Sequence, residues 1–389
     1  MFDFVRFVEA FCLFAAALHL TTIAVVGIRA LRARPIAGPA VLPGVSVVRP
    51  VCGLENHIEA TLRSTFELDY PSYEIIFCVA FERDPVVPLV GALIAEYPDA
   101  RATLLVGDDP ISINPKLNNL VKGGAAATHD WVAMTDSNVL LPREYIQLML
   151  ACADERTAVV SAPPVGSAPQ GIWAELECAF LNAYQARWQL AADAVGLGFV
   201  HGKNMLWRRP VLDAAGGLRA LAAEAAEDAA GTKIARAAGM KARLVPRPFP
   251  QPLGDRSFSE VWNRQVRWAR LRRASFKGFF LPEISSGGFL PMIGIAWLVH
   301  VGAMPFGAAL ACVALWYGAE IALARALGWP VSARAPFLAF LRDWMLPCIW
   351  VSAMLGNEFV WRGTHMNIAT PDDPSGAIRL ADSPETERA

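Results

Sequence analysis

Paired cysteines are missing from this chain. Its seven cysteines, Cys12, Cys52, Cys78, Cys152, Cys178, Cys312 and Cys348, form no CxxC and lie far apart, which argues for reduced core thiols rather than a disulfide framework. The six histidines are equally dispersed, with no HExxH and no His/Cys cluster, so structural zinc is not expected. Charge is scarce at 18% and nearly balanced at −1, and no basic run interleaved with aromatics precedes residue 264. Nucleic acid is therefore not an expected partner, and nothing points to a protein partner. An internal repeat is also lacking. What the chain has in excess is apolar side chains, 54% of it, above the level of an ordinary soluble protein. They concentrate at the two ends, which implies a soluble middle held between membrane segments.

Residues 8–28 are apolar over a length that crosses a bilayer, broken only by Glu9 and His19. Arg29, Arg32 and Arg34 follow, against Arg6 before, so the positive-inside rule places the next segment in the cytosol. Those basic residues stand on the wrong side of the run for a cleaved signal peptide. After residue 281, three further apolar stretches at 289–304, 308–327 and 337–355 read as membrane passes. The polar, acidic tail from 364 to 389 reads as disordered. Between the ends, short strands at 45–48, 74–80, 102–106, 131–135 and 158–161 alternate with helices at 58–64, 86–97, 117–126 and 143–153. That alternation predicts a largely parallel, doubly wound α/β sheet, with ligands beyond the carboxyl ends of its strands. The expected division is an anchor at 1–34, a cytosolic domain at 35–280, a membrane region at 281–363 and a tail at 364–389.

Five segments carry candidate chemistry. A strand ends in Asp136-Ser137-Asn138, which supplies a carboxylate and a second oxygen for a divalent ion, or an Asx-turn that caps the strand. Asp84 precedes Pro85 and reads either as a helix cap or as an acceptor for a nucleotide's base or ribose. Lys116 lies just ahead of a helix, where phosphate charge is favoured. Glu227-Asp228 opens a helix; adjacent positions project about 100° apart, so one of the two is expected to face a site, and Asp228 is the candidate general base. Arg264, Arg267 and Trp268 share one helix face. Two neighbouring guanidinium groups suit a diphosphate, whereas Arg270, Arg272, Arg273 and Lys277 read as a basic stretch drawn to anionic lipid. Residues 171–193 mix aromatics with charge and fit either a helix lying on the bilayer surface or a buried core helix. His201 fits an acceptor site or a core position.

In this order, Asn114-Pro115-Lys116-Leu117-Asn118-Asn119, Thr135-Asp136-Ser137-Asn138, Gly216-Gly217-Leu218 and Arg264-Gln265-Val266-Arg267-Trp268 resemble family 2-like glycosyltransferases of GT-A fold, and ceramide glucosyltransferases in particular. The resemblance implies a Rossmann-like GT-A domain between helical membrane segments. It also implies inverting transfer of glucose from UDP-glucose to the primary hydroxyl of ceramide, with a divalent cation, Mg2+ or Mn2+. By position, Asp228 would be the base, and Asp84, Lys116, Asp136, Arg264, Arg267 and Trp268 would bind the nucleotide sugar. Asp136 and Asn138 would hold the metal; His201 and Trp268 would meet the acceptor. Asn138 stands where many GT-A enzymes carry a second Asp, which leaves a one-carboxylate metal site. The setting implied is a bacterial inner membrane with the catalytic domain in the cytoplasm. Other acceptors, a hopanoid or a diacylglycerol, and a non-catalytic nucleotide-sugar-binding protein are the alternative readings.

Overall fold

The computed structural model describes residues 2–32, 42–361 and 364–368. Its strands are β1 (Val45–Pro50), β2 (Tyr73–Val79), β3 (Ala102–Val106), β4 (Trp131–Thr135), β5 (Thr157–Ser161), β6 (Val165–Gln170), β7 (Asn204–Arg208), β8 (Lys241–Leu244), β9 (Pro250–Asp255), β10 (Glu358–Trp361) and β11 (Thr364–Asn367). Seven of them make one sheet in the order β3-β2-β1-β4-β7-β5-β8. β1 is buried at every position and pairs in parallel with β2 and β4, as strands covered by helices on both faces must be. On one face the Pro115–Ala126 helix lies so close to the sheet that a Cβ on Gly123 would meet Val48 at 2.4 Å. The other face packs Tyr145, Ile146 and Met149 of the Tyr145–Leu150 helix against Val45, Val47 and Ala133.

The expected strands at 102–106 and 131–135 coincide with β3 and β4, and the others fall within two residues of their predicted ends. The sheet is less parallel than expected. β7 runs antiparallel to both β4 and β5, because the chain returns to the sheet from the opposite direction after the long excursion over 171–203. This reversal positions the site. In the β4–β7 register Thr135 faces Asn204, so the residue after β4 meets the residue before β7, and the Asp136 amide donates to the Lys203 carbonyl at 3.0 Å.

The apolar ends are helical, and among the described residues four helices are long and apolar enough to cross a bilayer: Asp3–Arg32, Lys277–His300, Phe306–Ala326 and Ala335–Leu355. The chain is a membrane protein. Residues 171–194 form the joint between the membrane helices and the sheet domain: helix Gly171–Cys178, a π-helical stretch Ala179–Ala186 and helix Arg187–Ala194. Of the two readings for this segment, the buried one is correct. Glu177 is fully buried and pairs with Arg264, with Arg256 at 3.5 Å. Arg187 donates to Thr22 of the first helix, and Glu175 accepts from Ser332 at 2.6 Å and from Arg334 at 3.2 Å. Among the apolar helices, Arg342 is held by Glu320 at 2.9 Å and by Asp343 at 2.8 Å, so these buried charges are paired.

Two expectations at the carboxyl end are corrected. Thr364–Asn367 is not disordered: it is β11, paired antiparallel with β10. The remainder of the expected tail, from 369 onward, lies outside the described residues. Of the basic residues after Trp268, the three arginines have partners within the protein rather than facing lipid alone. Arg272 pairs with Glu283, and Arg270 and Arg273 bond backbone carbonyls at 352–358.

Removing one partner of a buried ion pair strands the other charge, at a cost of about 3–5 kcal/mol. Glu177→Ala, which strands Arg264 and Arg256, should therefore lower the unfolding temperature of the detergent-solubilised protein markedly, as read by tryptophan fluorescence. Glu59→Ala, at a solvent-exposed pair with Arg63, should shift it little.

Candidate active site

A cavity of about 2230 Å³ opens at the carboxyl ends of β1, β2 and β4 and runs to the membrane helices. Asp84, Lys116, Asp136, Asn138, His201, Asp228, Arg264, Arg267 and Trp268 all line it. The motifs that the sequence scatters over 185 positions thus meet in one place, with roles differing in detail.

Lys116 is the centre of the charge network. Asn114 caps its helix by accepting from the Lys116 and Leu117 amides, and Pro115 fills the first helical position. The Lys116 ammonium then stands 2.6 Å from Asp136 Oδ1, 2.6 Å from Glu227 Oε1, and donates to the Gly202 carbonyl. Burial alone would lower the Lys116 pKa, but Asp136 and Glu227 outweigh it and raise it above its ordinary value. Burial likewise acts to raise the Asp136 carboxyl; Lys116 and Lys203 reverse this and hold it well below the usual carboxylate range. Both groups are charged at any working pH.

Lys203 was not among the expected site residues. Its ammonium lies 2.8 Å from Asp136 Oδ2 and donates to Asn138 Oδ1 at 2.9 Å. The only sequence cue was its place just ahead of a strand, and β7 had to be known as antiparallel before that place meant anything. Arg49 was missed too. It is fully buried and donates to the Asp136 carbonyl at 2.7 Å and the Val139 carbonyl at 2.9 Å, which fixes the loop after β4.

The acidic pair does not divide as expected, since both residues line the cavity. Glu227 spends its oxygens on Lys116 and, at 2.7 Å, on Asn114. Asp228 accepts from the Gly202 amide at 2.9 Å, and burial together with the Glu227 charge pushes its carboxyl up to about 6. His201 accepts from the Lys203 amide at Nδ1, which leaves Nε2 as the N–H donor. Burial and the Lys203 charge pull its ring down to about 3, so it is neutral, and it meets Trp268 edge-on at 5.9 Å. Asp84 accepts from Gly53 at 2.9 Å and Val86 at 2.9 Å, tying the turn after β1 to the turn after β2. Arg264 and Arg267 do not present a paired fork. Arg264 turns to Glu177, while Arg267 stacks over Trp361 at 5.3 Å.

The oxygens expected to hold a divalent cation, Asp136 Oδ2 and Asn138 Oδ1, do converge on one position. The ammonium of Lys203 stands in it. Among the described residues no cluster of three or more His, Cys, Asp or Glu surrounds that position. One carboxylate already neutralised by two lysines does not fit a resident divalent ion.

A sheet of this order, with an acid ending β4 beside a deep cavity, is the GT-A arrangement of nucleotide-sugar transferases. The chain belongs to glycosyl transferase family 21, whose profile matches residues 8–372. Among similar proteins, ceramide glucosyltransferase 1 of Caenorhabditis elegans is 26% identical over 370 residues, covering 92% of this chain and 79% of that one. The ceramide glucosyltransferase of Komagataella phaffii is 26% identical over 424 residues, covering 85% and 83%. The solved mannosyltransferase PcManGT from Pyrobaculum calidifontis, in complex with GDP-Man and Mn2+, superimposes with a TM-score of 0.52 at 18% identity, covering 90% of this chain and 98% of that chain. That last likeness is one of fold.

Gly202 sits where a side chain has no room: an added Cβ would meet Glu227 Oε1 at 2.7 Å and Lys116 Nζ at 3.3 Å. Gly202→Ala should push Glu227 off Lys116 and destabilise the fold by about 1.5–3 kcal/mol, the worth of one hydrogen bond to a charged group. Thermal unfolding followed by circular dichroism reads this against the wild type.

Proposed function

We propose that this glycosyltransferase moves glucose from UDP-glucose to the primary hydroxyl of ceramide, with inversion at the anomeric carbon. The names of its relatives support the substrate pair. The observation that carries the chemistry is Asp228, a carboxyl of raised pKa beside a cluster of cations at the mouth of the β4 turn. The cavity supports a lipid acceptor, because its wall continues from these charges to Phe11, Phe14 and Leu18 of the first helix and to Phe276 and Phe279.

The diphosphate of the donor lies against Lys116 and Arg267, with Asp84 at the nucleoside end. The acceptor hydroxyl enters from the membrane side past Trp268 and His201. Asp228 takes the hydroxyl proton as the oxygen bonds to the anomeric carbon. The carbon–phosphate oxygen bond breaks on the opposite face, and its electron pair leaves with UDP, whose charge the cations meet. The resemblance to metal-using transferases implies a divalent ion at Asp136 and Asn138; with Lys203 at that position, no step is assigned to a metal. The domain sits in the cytosol on this reading, because Arg29 and Arg32 follow the first helix.

The test is to incubate the purified protein with UDP-glucose, UDP-galactose or UDP-N-acetylglucosamine, each with ceramide, diacylglycerol or a hopanoid, and to identify the lipid product. Glucosylceramide is expected. A different glycolipid would overturn the substrate assignment, and UDP release without any glycolipid would overturn the transfer. Turnover should be level at neutral pH and fall as pH drops through about 6, because protonated Asp228 cannot accept a proton. UDP affinity should not follow that profile.

A further inference from the structure

We infer that Lys203 is the resident cation of this site and binds the donor diphosphate in place of a divalent metal. The inference rests on the transferase reading above and adds a residue to it. Three observations carry it. Lys203 Nζ bridges the two oxygens of the expected metal pair, at 2.8 and 2.9 Å. Its backbone is clamped to the Asp136 amide by the β4–β7 register, so its approach to Asp136 is built into the sheet. Lys116 holds the second Asp136 oxygen at 2.6 Å, so a metal would have to displace an ammonium to reach the carboxylate. An ammonium on a short tether supplies positive charge to a phosphate without a separate binding step.

UDP binding measured by calorimetry in EDTA and in Mn2+ tests this. Wild-type affinity should be the same in both. Lys203→Met should bind UDP about tenfold or more weakly in EDTA, as expected for loss of a charge-assisted contact. Lys203→Arg, which keeps the charge, should lose less. Wild-type affinity that collapses in EDTA and returns with Mn2+ would overturn the inference, whether or not the variants fold. A protein that binds UDP in EDTA yet makes no glycolipid would leave Lys203 in place and sink the transferase reading instead.

A separate observation concerns the last apolar helix. Three carboxyl-terminal passes would leave the chain on the far side of the membrane from the catalytic domain. Yet Ala335–Leu355 is held to that domain at both ends: Arg334 and Ser332 bond Glu175 at its start, and Arg273 donates to the Met354 carbonyl at 2.7 Å at its finish. Beyond it, Met366 and Ile368 pack with Ile113 and Ala225, neighbours of Asn114 and Glu227, and Trp361 walls the cavity under Arg267. We propose that this helix lies along the domain without crossing, that Lys277–His300 and Phe306–Ala326 go out and back, and that the β10–β11 pair closes the donor end of the site from the catalytic side. A cysteine placed at exposed Glu358 in a cysteine-free chain should resist a membrane-impermeant maleimide in intact cells and react once the cells are opened. Trp361→Ala should weaken UDP binding in the folded protein. Labelling from outside would overturn the topology, and unchanged UDP affinity would remove the β10–β11 pair from the site.

Discussion

Lys116 makes three contacts at once, to Asp136, Glu227 and the Gly202 carbonyl. Through them one ammonium joins the end of β4, the start of the Glu227–Ala237 helix and the turn before β7. The carboxylates cannot sit this close without it. Asp136, Glu227 and Asp228 carry three negative charges, and Lys116 with Lys203 offsets two. Burial, and after it the Glu227 charge, push the Asp228 carboxyl up to about 6. The proposed general base is thus tuned toward neutral pH by enclosure beside a second acid.

The same logic of paired burial joins the catalytic domain to its membrane helices. Glu177, Arg187 and Arg342 are among the most buried residues of the chain, and each is matched by an opposite charge or a hydroxyl. Such pairs contribute less to stability than apolar packing of the same volume, but they tolerate few alternative arrangements. Trp268 sits at this joint: it packs on Ala174, Cys178 and Leu181 of the 171–194 segment and turns its ring edge to His201. An acceptor rising from the bilayer would meet that pair before the charged end of the cavity.

Much of this was legible in the sequence because it rests on local patterning. The short apolar runs gave β1 to β5, and Asn114-Pro115 announced a capped helix that presents Lys116. What was hidden depends on pairing between distant segments. β7 looks like any short strand, and only its antiparallel register makes Lys203 a partner of Asp136. Glu177 reads as one acid in a mixed segment until the fold aims Arg264 at it, which is also why the expected Arg264–Arg267 fork does not form. The acidic pair was read from helical geometry alone, and the cavity proved wide enough to receive both side chains. The strand pair at the carboxyl end lacks apolar alternation in sequence; its stability comes from packing on Ile113, Ala225 and Leu271.

In the proposed mechanism Asp228 moves a proton and does not hold the donor. The direct test is to measure turnover and UDP-glucose affinity side by side in Asp228→Asn, which keeps the shape and the Gly202 contact. Turnover is expected to fall by about a hundredfold or more while donor affinity stays at the wild-type value. Transfer at the wild-type rate, or a loss of donor affinity that accounts for the whole loss of rate, would contradict it.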